Sequence, residues 1–176
     1  MHDLQNGLSQ YDMRDELNPR RLTLAMWDYA YLYRHIDGES FANYDKVLDE
    51  AKLLGYNTLR LDPLPHMIDL DEPDKIFSWA GGKKYMPWCI GKGGSSALGR
   101  NFIECVQKLK ERGLYYTLST WWNTEAEPKP SVMPRTNMEA AEVWAEFLYK
   151  LGKHEGFENL VYVDIHNEVP YFLSGY

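Results

Sequence analysis

The run Leu160-Val-Tyr-Val-Asp-Ile-His-Asn-Glu-Val-Pro170 ends in two residues equipped for chemistry, Asn167 and Glu168. A carboxyl group at the end of a β-rich run, beside apolar neighbours and a proline turn, is partly out of water, and desolvation raises its pKa. A glutamic acid still holding its proton near neutral pH is a general acid, the group needed to protonate the leaving oxygen of a glycosidic bond. The amide of Asn167 is suited to hydrogen-bond a sugar hydroxyl next to the reacting carbon, a contact that strengthens in the transition state. Read alone, the pair fits a cap on a following helix equally well. Asp164, His166 and Glu168 also alternate onto one strand face, a set reminiscent of divalent-metal sites in barrel hydrolases. One strand seldom supplies all the ligands, and no His-x-His lies on the first strand, so neither a metal nor another cofactor is expected. Cys89 and Cys105 lack a partner motif for zinc or for a disulfide framework and are read as inert thiols.

The elements that must position these residues alternate. Helical stripes are predicted from about 41 to 54, from about 101 to 112, and from the capping-box pattern Thr136-Asn-Met-Glu139 onward, with Gly55, Gly113 and Gly152 or Gly156 as stops. Short β-rich runs at 22–27, 58–62, 115–121 and 160–167 are predicted as strands. Splitting each run by alternation gives one apolar face expected to pack on the helices: Leu22, Leu24 and Met26, then Leu59 and Leu61, then Tyr116 and Leu118, then Val161, Val163 and Ile165. The other face carries Trp27, Arg60, Asp62, Ser119, Trp121, Asp164, His166 and Glu168.

That second face is too polar for a doubly wound sheet, whose strands are apolar on both sides, and suits a barrel interior. The predicted fold class is therefore α/β, the N-terminal half of a (β/α)8 TIM barrel with four parallel strands alternating with helices, its functional groups at the carboxyl ends of the strands. Residues 1–20 form an N-terminal extension, and residues 21–176 a partial barrel domain ending after strand four. The segment from Pro63 to about Arg100 is predicted as one long loop, and its Gly91–Gly99 stretch matches no phosphate-binding pattern.

Composition narrows the ligand. A net charge of -7 argues against nucleic acid, because a polyanion needs a basic surface. Thirteen Tyr, 6 Trp and 6 Phe, many in polar or Pro-rich segments, suggest a ligand that stacks on aromatic faces. No run approaches the length of a membrane span, and the first twenty residues contain no apolar signal-like stretch, so the expectation is no membrane partner and, by default, a cytoplasmic chain.

In order along the chain, Met26-Trp27-Asp28, Gly55-Tyr-Asn-Thr-Leu-Arg-Leu-Asp-Pro-Leu-Pro-His66, Leu118-Ser-Thr-Trp-Trp122 and Tyr162-Val-Asp-Ile-His-Asn-Glu168 resemble the sugar-binding cellulase-like proteins. Asn-Glu-Val-Pro resembles the Asn-Glu-Pro signature of clan A glycoside hydrolases, which include the family 5 cellulases, with Val169 in the third place and Pro170 one later. The resemblance implies a retaining, cellulase-like glycoside hydrolase acting on a carbohydrate substrate. Glu168 would be the acid/base, Asn167 its hydroxyl-binding partner, and Arg60 the arginine that keeps the nucleophile ionised. Trp27, Trp121 and Trp122 would be stacking platforms, with Asp28, His66, Asn123 and His166 at the same mouth. From the residues alone, the acidic partner of Arg60 is either Asp62 or Asp164. Ser119-Thr-Trp-Trp122 stands where many family 5 enzymes carry a His. In this clan the nucleophile comes from strand seven, so the 176 residues are expected to lack it, to be inactive alone, and to self-associate through an open barrel edge. Two other classes fit the same residues: a carbohydrate-binding protein without turnover, and a metal-dependent barrel hydrolase.

Overall fold

The structure, a computed structural model, describes residues 22–80, 92–122 and 133–167. In chain order the elements are β1 (Leu24–Asp28), α1 (Ala30–Tyr33), α2 (Tyr44–Leu53), β2 (Thr58–Leu61), β3 (Phe77–Trp79), β4 (Gly94–Ser96), α3 (Leu98–Glu111), β5 (Tyr115–Leu118), α4 (Asn137–Leu151) and, after a 3-10 turn at Phe157–Asn159, β6 (Leu160–Val163). β1, β2, β5 and β6 form one sheet in that order, every pair parallel. Strands that add in sequence order, each reached through a helical crossover, build a barrel wall with its helices on one side, whereas a doubly wound sheet reverses direction. The four parallel strands alternating with helices are those expected from the sequence.

The helices form where local and tertiary preferences agree. The Asn43 side chain caps α2 by accepting from the Lys46 N–H at 3.0 Å, and Tyr44, Leu48 and Ala51 are its buried stripe. Helix α3 begins earlier than predicted, at Leu98, because Leu98 is fully buried and Gly99 packs against the Pro73 backbone, 3.0 Å from where a Cβ would lie. Its stripe, Phe102, Cys105, Val106 and Leu109, is fully buried against the sheet's Leu59, Leu61, Tyr116 and Leu118. Thr136 caps α4 by accepting from the Glu139 N–H at 3.1 Å, while the Glu139 carboxylate reaches back to the Arg135 N–H at 2.7 Å, one residue beyond a standard capping box. Trp144, Phe147 and Leu151 are its buried side.

Three expectations are corrected. The faces of β1 are inverted: Ala25 registers with Leu59 and Met26 with Arg60, so Met26 lies on the polar side, 70% exposed, and Leu24 registers with Thr58. A bulge between Met26 and Asp28 then breaks the alternation. In β6 a second irregularity lies between the pairs Tyr116–Leu160 and Leu118–Val163, and Val161, like Ile165 just past the strand, is exposed rather than packed on helices. The segment from 63 to 100 is not one loop. It holds the antiparallel hairpin of β3 and β4, anchored by buried Trp79, whose ring meets Tyr33 edge-on at 5.0 Å.

Candidate functional site

Past the ends of β2, β5 and β6 one guanidinium gathers four side chains. Arg60 Nη2 donates to Ser119 Oγ at 2.8 Å, to Asp164 Oδ2 at 3.1 Å and to Asn167 Oδ1. The Ser119 hydroxyl in turn donates to the same Asp164 oxygen at 2.8 Å. The sequence left two acidic partners open for Arg60; the geometry selects Asp164. On its other side, Arg60 Nη1 points at the Met26 sulfur at 3.4 Å, a weak acceptor. The cluster is half-buried, where charge-assisted hydrogen bonds are stronger than at an open surface.

The segment that follows β6 is pinned from three sides. The Asp164 N–H donates to Leu118 O at 2.7 Å, and the Asn167 N–H to Thr120 O at 2.9 Å, so the chain keeps to β5 beyond the last regular pair. The buried Trp144 of α4 donates its indole N–H to Ile165 O at 2.9 Å. With its backbone held and its amide oxygen on Arg60, Asn167 is buried to 8% exposure.

Asp62 makes a separate centre. Its Oδ1 accepts from the Leu64 N–H at 2.8 Å and its Oδ2 from the Trp121 N–H at 2.9 Å. Burial pushes its carboxyl up to about 7, against the pull of those two N–H groups. His66, 1% exposed, is pushed down to about 4 by burial and is neutral at neutral pH; its ring lies 5.2 Å from that of Trp122. Trp122 also meets Trp144 at 6.4 Å, and its indole N–H is buried without a hydrogen-bond partner among the described residues.

The remaining expected residues are dispersed. Trp27 is half-buried with its ring edge-on to Phe41 at 4.9 Å, and Asp28 has a left-handed backbone with φ 56°. Trp121 is half-buried beside Trp122. His166 is partly buried and its pKa lowered by burial, with Asp164 opposing the shift. Glu168 and Asn123 lie outside the described residues. Among the described residues, no cluster of three or more His, Cys, Asp or Glu could hold a metal ion, and no helix is long and apolar enough to cross a membrane. Sequence placed Ser119 and Asp62 with Arg60 at the strand ends but foresaw neither the Ser119 link to Asp164 nor the Asp62 clamp on Leu64 and Trp121.

The family model described as sugar-binding cellulase-like matches residues 24–173. A Parabacteroides distasonis protein described as a candidate glycoside hydrolase is similar in structure, with a TM-score of 0.68 and 25% identity over 85% of this chain and 39% of its own. An endocellulase of Pyrococcus horikoshii, solved in complex with cellotetraose, superposes with a TM-score of 0.51 and 18% identity over 85% of this chain and 38% of its own, a likeness of fold alone. This chain thus spans about two fifths of the length of those structures. No protein with a curated description matches it.

Proposed function

The chain belongs to the sugar-binding cellulase-like family, and on that premise we propose that it carries the acid/base side of a retaining glycosidase site. The observation that supports this most is the Arg60–Ser119–Asp164–Asn167 cluster, which fixes the residue preceding Glu168 by both its backbone and its side chain. A general acid is effective only if held within hydrogen-bond reach of the oxygen it protonates.

In this proposal Glu168 gives its proton to the leaving glycosidic oxygen as a carboxylate attacks the anomeric carbon, and then takes a proton from the water that releases the sugar. That carboxylate is proposed to come from outside these 176 residues, because Asp62 is engaged by two backbone N–H groups and Asp164 by Arg60 and Ser119. Arg60 is proposed to meet it with the Nη1 side, which among the described residues faces the Met26 sulfur. Trp121 and Trp122, whose ring packs 5.2 Å from that of His66, are proposed to stack on the sugar, with Trp27, Asp28, His166 and Asn123 as further proposed contacts, Asn123 lying outside the described residues.

The test uses a protein that contains these residues together with the remainder of a barrel. Glu168→Gln is expected to abolish hydrolysis of β-linked oligosaccharides while sparing much of the activity on aryl glycosides with good leaving groups, which need little protonation. Equal loss on both kinds of substrate would remove Glu168 from the acid/base role. Sugar binding without any turnover by the unmutated protein would leave a binding module in place of an enzyme.

A further inference from the structure

Among the described residues only two other than glycine have a left-handed backbone, Asp28 at φ 56° and Leu64 at φ 53°, and both are hydrogen-bonded to Asp62. The Asp62 N–H donates to Asp28 O at 2.8 Å, and the Asp62 carboxylate receives the Leu64 N–H. Such backbones cost about 1–2 kcal/mol each for residues bearing a Cβ and persist where surrounding contacts over-determine them. The second carboxylate oxygen takes the Trp121 N–H from the end of β5, and the Asp62 carbonyl takes the Tyr31 hydroxyl of α1 at 3.1 Å. One residue, 2% exposed, therefore joins the ends of β1, β2 and β5 and the helix behind them.

We propose that Asp62 is the positioning residue of this mouth, its carboxylate setting the left-handed turn at Leu64 and the Trp121–Trp122 segment in the arrangement that a carbohydrate chain stacks on. The sugar part rests on the function proposed above; the clamp itself does not. Among the described residues the titratable groups facing Asp62 are Asp28 from β1 and Tyr31 and Tyr33 from α1, none of them a cation at neutral pH, and Arg60 on its own strand is committed to Asp164. A proton on Asp62 weakens its acceptance from Leu64 and Trp121, so the clamp is tightest above neutrality. Asparagine at this position keeps one acceptor oxygen and turns an NH2 toward the other N–H, undoing one of the two bonds.

The experiment is an amide NMR titration of the chain between pH 5 and pH 9, with cellotetraose affinity measured on the same samples. The Leu64 and Trp121 amide resonances are expected to move together with a midpoint near 7, and cellotetraose to bind several-fold more tightly above that midpoint than below it. Asp62→Asn should abolish the shared titration and weaken binding about tenfold at every pH. Amides that titrate independently or not at all would overturn the clamp, as would an Asp62→Asn chain that binds cellotetraose like the parent. The titration of the unmutated chain decides the question even if the variant does not fold. Failure of the unmutated chain to bind cellotetraose, with the shared titration present, would count against the sugar reading and still support the clamp.

Discussion

Arg60 concentrates its donors on Ser119, Asp164 and Asn167, so a substitution that keeps the charge but not the fork separates the two contributions. Arg60→Lys can pair with Asp164 but cannot hold the others at once. Stability measured by urea unfolding is expected to fall by only about 1 kcal/mol, since both partners are partly in water. Arg60→Met leaves the Asp164 carboxylate without its counter-charge and is expected to cost about 2 kcal/mol. Equal losses for the two variants would show that the fork adds nothing to the charge. Sequence made the candidates for this cluster legible, because alternation places Arg60, Ser119 and Asp164 on one strand face. It left the partner of Arg60 open because Asp62 shares that face by the same parity. The through-space geometry resolves it: Arg60 reaches Asp164 at 3.1 Å, while the Asp62 oxygens are turned to the Leu64 and Trp121 N–H groups.

Among the elements, all four parallel strands were readable, but the inward and outward faces were readable only for the interior strands β2 and β5. Leu59, Leu61, Tyr116 and Leu118 are fully buried on one side as their alternation predicts. In β1 both parities carry large apolar side chains, and the bulge before Asp28 shifts the count, so alternation alone picked the wrong side for Met26. The hairpin of β3 and β4 was hidden because three-residue strands give too little period to detect. Capping was readable: Thr136→Ala is expected to remove the α4 cap at a cost of about 1 kcal/mol in chemical denaturation. Gly156 is a sharper test, since its φ is 93° and a Cβ would lie 2.6 Å from Val106 O. Gly156→Ala is expected to destabilise by more than about 2 kcal/mol, through both the backbone and the clash; an unchanged midpoint would mean that the turn before the 3-10 segment moves freely. The edges of β1 and β6, with Leu24, Val161 and Tyr162 exposed, are proposed to let the 176-residue chain pair with copies of itself, which light scattering across a concentration series would detect as a rising mass. A constant monomer mass would end that proposal.

For the molecule as a whole, two buried groups act on stability with opposite signs. Asp62 is raised from an unfolded value of about 3.9 to about 7, so the folded chain holds a proton the unfolded one has lost, and its contribution is full below about pH 4 and lost as pH rises to about 7. His66 is lowered from about 6.5 to about 4, so the unfolded chain takes up a proton the folded one refuses, and stability is lost as pH falls from about 6.5 to about 4. Over that shared window the slopes cancel in the unmutated chain. Asp62→Asn removes one of them, and its stability relative to the parent is expected to fall by up to about 1.4 kcal/mol per pH unit on acidification. Parallel curves for the two proteins would refute the pairing. The core that buries these groups also encloses the Cys105 thiol, fully inaccessible on α3 and pushed well above its ordinary range by burial. A disulfide reagent can reach that sulfur only while the packing between α3 and the sheet is apart. With Cys89→Ser removing the other thiol, the labelling rate of Cys105 therefore becomes a clock for spontaneous opening.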